Sequence, residues 1–130
     1  MTTWLRLVAG FAFSSLLLGG ASITWADVAA ENFTVKVISI YDDTDGDGVR
    51  ELGGCLVRVV PDPSTVLAGC RDKYVAPSCD GTHSSSPKAA AEILEQIQIA
   101  AITNRTIKLG LDNSKRHDRY CFVNYAQIVF

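Results

Sequence analysis

The sequence predicts a β-rich α+β domain, a five-stranded OB-like Greek-key barrel with one α-helix between strands three and four. Three observations predict it. Five short runs rich in β-branched and aromatic residues are separated by turn signals. One stretch between the third and fourth runs switches to helical spacing. Four cysteines lie in a chain of only 130 residues, which is crosslinking suited to a small core. Three strands, a helix and two strands make the element order of the OB barrel.

The first strand runs from Phe33 to Tyr41. Its β-branched density marks it as a strand with a central place in the sheet, although its apolar residues do not keep a strict alternation. Asp42 to Gly48 is a turn-rich loop whose two Asp-Gly pairs favour chain reversal. Cys55 to Val60 is the second strand, ended by Pro61 and Pro63. A connection covers Pro63 to Gly69. A weaker third strand falls between Cys70 and Cys79, centred on Tyr74 and Val75, with Pro77 marking an edge or bulge at its end. Asp80 to Ser86 is a polar loop.

The pattern then turns helical. Ser86 is suited to cap a helix and Pro87 to its first turn. Ala90, Ile93 or Leu94, Ile97 and Ala101 recur at helical spacing, with Glu92, Glu95, Gln96 and Gln98 filling the polar side. The helix runs to about Thr103, with Asn104 as its stop. Ile99 and Ile102 widen the apolar stripe, so the helix is expected to lie against more than one surface. Thr106 to Asp112 is the fourth strand, Asn113 to Arg119 a charged turn, and Cys121 to Phe130 the last strand.

Residues 1–26 read as a secretory signal peptide and residues 27–130 as a single OB-like domain. Arg6 is the only charged side chain before Asp27, Leu7 to Leu18 is mostly apolar, and small residues lead to Ala26. The apolar run falls short of the roughly 20 residues that span a bilayer. No second stretch is long enough, so the mature protein is expected to have no membrane span. The whole chain carries a formal charge of −2, and losing Arg6 makes it more negative. A weakly acidic domain has no electrostatic reason to bind nucleic acid. An even cysteine count in an exported domain reads as two disulfides, of which Cys55, Cys70, Cys79 and Cys121 allow three pairings. Zinc is disfavoured, because no Cys-x-x-Cys pair exists and neither His83 nor His117 has a His at ligand spacing. The domain is therefore expected outside the cytoplasm, secreted or periplasmic.

Several constellations carry chemistry. Asp43, Asp45 and Asp47 alternate with Gly46 and Gly48 nearby, the spacing with which calcium loops converge carboxylates on one ion. The second half of such a loop is missing, since Gly54 stands where a bidentate Glu belongs. An acidic loop built on Asp-Gly turns is the stronger reading, and calcium at these residues is the one cofactor candidate. His83 with Ser84 to Ser86 lacks a Gly-x-Ser-x-Gly elbow and reads as a helix cap rather than a nucleophile with its base. Lys115, Arg116, His117, Asp118 and Arg119 form a basic hairpin tip, a solvated turn that is also placed to meet an anionic sugar or a ring neighbour. Tyr41, Tyr74, Tyr120 and Tyr125 are core aromatics or sugar-stacking ones. No catalytic constellation emerges.

The stretch from Gly54-Cys55-Leu-Val, through Cys70, Cys79-Asp-Gly and Ser86-Pro-Lys-Ala-Ala, to Asp112-Asn-Ser-Lys-Arg-His-Asp-Arg-Tyr-Cys121 resembles a group of small exported bacterial proteins similar to the B subunit of subtilase cytotoxin. The resemblance covers Phe33 to Phe130. It implies an OB-fold subunit, not an enzyme, that forms a homopentamer and binds cell-surface glycans bearing sialic acid, beside a separate catalytic A subunit. It also implies disulfides Cys55–Cys79 and Cys70–Cys121. It places no glycan contact on a particular residue here. The alternative from another class is a disulfide- and calcium-stabilised structural or protein-binding domain without sugar affinity.

Overall fold

The computed structural model describes residues 28–42, 46–48 and 50–130. The expected signal peptide, residues 1–26, lies outside them. Five strands form one sheet: β1 (Val28–Ile40), β2 (Cys55–Val60), β3 (Tyr74–Val75), β4 (Ile107–His117) and β5 (Tyr120–Ile128). Their order is β3-β2-β1-β4-β5, and every neighbouring pair is antiparallel. The ladder is open. Among the described residues no ladder joins its outer strands, and an isolated parallel bridge links Ala76, just past β3, to Phe122 of β5.

β1 takes the central place because it is long enough to serve two neighbours in turn. Val28 to Phe33 pairs with β4, and Thr34 to Ile40 pairs with β2. The register shifts between Val35 and Val37, which leaves Lys36 as the extra residue of a bulge. That bulge is why the apolar residues of this segment break alternation. Phe33 sits where the partner changes, paired with Ile107 and only 1% exposed. Around it Val57, Val75, Ile97, Leu109 and Val123 form the core.

Two α-helices are present among the described residues, not one. The connection after β2 holds a single turn, α1 (Pro63–Val66). Asp62 caps it by accepting from the Ser64 amide at 3.0 Å, and Pro63 fits its first position. A four-residue turn has no room to show helical periodicity, so the sequence reads as a plain connection.

The long helix, α2 (Pro87–Ile102), starts where expected: Ser86 Oγ accepts from the Ala89 amide at 3.1 Å. Its end is a Schellman arrangement around Asn104, which has φ +53°. The Arg105 amide reaches the Ala100 carbonyl and the Asn104 amide reaches that of Ala101. The buried face is Ala90, Ile97 and Ala100, with Ile93 packed against it. Ala100 thus replaces Ala101 as the core residue. Ile99 and Ile102 do not meet a second surface, and Ile102 is 85% exposed.

The charged segment expected as a turn is mostly strand. β4 runs through Asn113 to His117, and the turn itself is only Asp118-Arg119, both at positive φ as two-residue hairpins require. The polar run misled because this ribbon projects beyond the core, where neither face need be apolar. A register shift between Asp112 and Arg116 accommodates it. There Asp112 accepts from the Ser114 amide and hydroxyl at 2.8 and 2.6 Å, a local turn inside the strand.

β3 has two residues, too few to hold itself. Its flanks are fastened covalently. Cys70 is joined to Cys121 on β5, and Cys79 to Cys55 on β2. Backbone bonds add to this: the Arg71 amide reaches the Arg119 carbonyl at 2.8 Å, and Ala76 exchanges bonds with Cys121 and Val123. The segment from Cys70 to Cys79 is thereby held between β2 and β5.

Candidate functional site

Along β4 and β5 successive side chains point to opposite faces. The projecting hairpin consequently presents two different surfaces. One face carries Arg116 and the other Lys115.

On the Arg116 side, the Cys70–Cys121 bond brings the loop before β3 against the hairpin. The result is a cleft of about 580 Å³ lined by Gly69, Cys70, Arg71, Asp72, Arg116 and Arg119. Arg116 donates to the Gly69 carbonyl at 3.1 Å, which fixes its head at the rim. Asn113 donates to the neighbouring Ala68 carbonyl at 2.8 Å. Arg71 pairs with Asp118 at 2.7 Å and lies 4.9 Å over the Tyr120 ring, which meets Tyr74 edge to face. Asp72 lies near Lys73 at 3.9 Å. Both carboxylates at this end thus have their own cations. Arg116 and Arg119 pair with no carboxylate among the described residues. The cleft is positively charged inside an acidic protein, and planar guanidinium groups suit oxyanions.

The other face of the hairpin holds an imidazole pair. His83 and His117 lie 4.9 Å apart between ring centres. His117 Nε2 is 2.9 Å from Ser78 Oγ, and Gly53 passes so close that any Cβ there would meet the ring at 2.5 Å. Ser78 is fully buried, so the contact braces the loop carrying Cys79 against the hairpin, with no path for a substrate to its oxygen. Sequence reasoning looked for a partner of His83 in Ser84 to Ser86. The serine that bonds a histidine is Ser78, and its partner is His117.

Burial, and then the neighbouring His83 ring, hold His117 below the ordinary histidine value, with Asp80 acting the other way. The unfolded chain therefore binds this proton more readily than the folded one. The associated stability is complete above the ordinary value near 6.5 and is lost as pH falls through the lower folded value. Urea midpoints are expected to fall between pH 7 and pH 5, and His117→Gln is expected to flatten that slope. Equal slopes in the two proteins would discount His117 as the source.

Of the calcium candidates, Asp43 and Asp45 lie outside the described residues. Asp47 is exposed at a bend. No group of three potential ligands is found among the described residues. Tyr74 and Tyr120 come together beside the arginine cleft, whereas Tyr125 lies on the face against α2 and Tyr41 joins the β1–β2 connection, its amide bonded to the Gly54 carbonyl. The basic tip was visible in the sequence, but Arg71 was not, since 47 residues separate it from Asp118. Its adjacency to Cys70 was the one available signal.

No protein-family model, curated protein or solved structure matches the chain.

Proposed function

We propose that this chain is an exported, non-catalytic glycan-binding module, similar to the B subunit of subtilase cytotoxin, that takes an acidic sugar in the cleft of Arg71, Arg116 and Arg119. The observation behind this reading is that cleft: the guanidinium groups of Arg116 and Arg119, which pair with no carboxylate among the described residues, stand beside an aromatic pair. A carboxylated sugar such as sialic acid offers an oxyanion to the former and an apolar ring face to the latter. In finer detail the fold is an OB-like Greek-key barrel. Support comes from the order β3-β2-β1-β4-β5 and from the parallel bridge between Ala76, just past β3, and Phe122 of β5. OB domains bind oligosaccharides through their strand 4–5 loop among others, and the cleft stands at that loop. Two disulfides fit an oxidising compartment, secreted or periplasmic. No helix among the described residues is long and apolar enough to cross a membrane. The same reading gives the module a ring of five copies and a separate catalytic partner.

Binding of the mature protein to a glycan array tests this. Sialylated glycans are expected to bind and their desialylated counterparts to bind weakly. Arg116→Ala with Arg119→Ala is expected to cost about 10- to 100-fold, as for the loss of hydrogen bonds to a charged group. Equal binding to both glycan sets would sink the acidic-sugar reading. In sedimentation a pentamer is expected, and a lone monomer species at every concentration would remove the ring.

A further inference from the structure

We infer that the opposite face of the hairpin carries a second binding site, a groove between α2 and β5 that takes a neutral hexopyranose. Two adjoining hollows of about 260 and 200 Å³ share Ala89, Ile93 and Asn124. Each is of a size for a single sugar ring and well below a drug-sized pocket.

Asn124 is the centre of the groove, and three features aim it there. It is the extra residue of a bulge in β5: Gly110 pairs with Tyr125 and Leu111 with Val123, leaving Asn124 unopposed. Bulges of this kind re-aim a side chain. Opposite it stands Gly110, where an added Cβ would meet the Asn124 amide oxygen at 2.5 Å. The missing methyl is what lets the amide lie on the sheet. Finally, the exposed Asn124 side chain makes no hydrogen bond among the described residues, and it lines both hollows.

The surroundings choose the ligand. Gln96 supplies a second amide from α2, while Ala89, Ile93 and Ala126 give an aliphatic floor, with Tyr125 exposed at the edge. Paired amides suit neighbouring hydroxyls, and such a floor suits the C–H face of a sugar ring. The two hollows carry charges of opposite sign, so the groove as a whole has no net preference for an anion or a cation. Glu92 lines one hollow and Lys115, 5.7 Å over the Phe122 ring, lines the other. The site shares no lining residue with the arginine cleft and does not depend on it.

The test uses methyl β-galactopyranoside, methyl α-mannopyranoside and N-acetylglucosamine at millimolar concentrations, followed by amide NMR. Saturable shifts of the Asn124 and Gln96 side-chain amides are expected with at least one sugar. Asn124→Ala should weaken that binding about tenfold or more, as expected for an unmade hydrogen bond. Gly110→Ala should do the same by displacing Asn124 without altering the lining. Arg116→Ala with Arg119→Ala should leave it unchanged, which separates this site from the acidic-sugar cleft. Absence of saturable shifts at these amides with all three sugars, or binding undiminished in Asn124→Ala, overturns the inference.

Discussion

Cys121→Ser is expected to lower the stability of the domain by about 4 kcal/mol in the chain-entropy description of a crosslink. Its partner Cys70 lies 51 residues away, the longer of the two loops closed by sulfur, the other spanning 24. In melting temperature this is a fall on the order of 15–30 °C for a domain of this size. The effect should reach beyond stability. Cys70–Cys121 holds the loop carrying Arg71 against the hairpin carrying Arg116 and Arg119, so the arginine cleft exists only while that bond does. Thermal unfolding of the oxidised protein and the variant measures the first effect, and sialoside binding the second. Thiol titration of the unfolded variant should find one reactive sulfur, at Cys70. A variant that melts within a few degrees of the parent would show that the backbone bonds from Arg71 and Ala76 hold the cleft without sulfur.

Phe33→Ala is expected to cost about 3–5 kcal/mol, the range for emptying a fully buried aromatic position. Phe33 is among the largest fully buried side chains and occupies the residue at which β1 leaves β4 for β2. A cavity there loosens both halves of the sheet. Urea unfolding should show a lower midpoint with little change in slope. Phe33→Leu should recover most of the loss, because it restores volume. A midpoint close to that of the parent would mean that the neighbouring side chains close over the space.

Much of the architecture was legible because it is local. Cys55 to Val60 is bounded by residues that start and stop a strand, and Ser86-Pro87 with Asn104 bound α2, so caps and breakers fix these elements without distant contacts. The β4–β5 hairpin was misread for the converse reason. Its strands from Asn113 to His117 are stabilised by pairing outside the core, and pairing leaves no hydrophobic period to read. Ala100 replaced Ala101 on the core face because a rotation of one helical position depends on what packs against the helix, here β5 and β1. The same limit hid the candidate sites. Ser78 with His117, Arg71 with Arg116, and Gln96 with Asn124 are pairs drawn from separate elements, and spacing along the chain carries no trace of them.

By itself the sequence determined a β-rich chain with β1 at the centre, a capped helix in its middle and cysteines in a number that pairs off as two bonds. Those are consequences of side-chain shape, turn chemistry and thiol count, each acting over a few neighbouring residues. Only the tertiary structure decided which surfaces face one another: the bulges at Lys36 and Asn124, the arginines gathered by Cys70–Cys121, and the tilted imidazole pair whose His117 lies against Gly53. Such contacts close loops of tens of residues, and their free energy appears only when the whole sheet is formed.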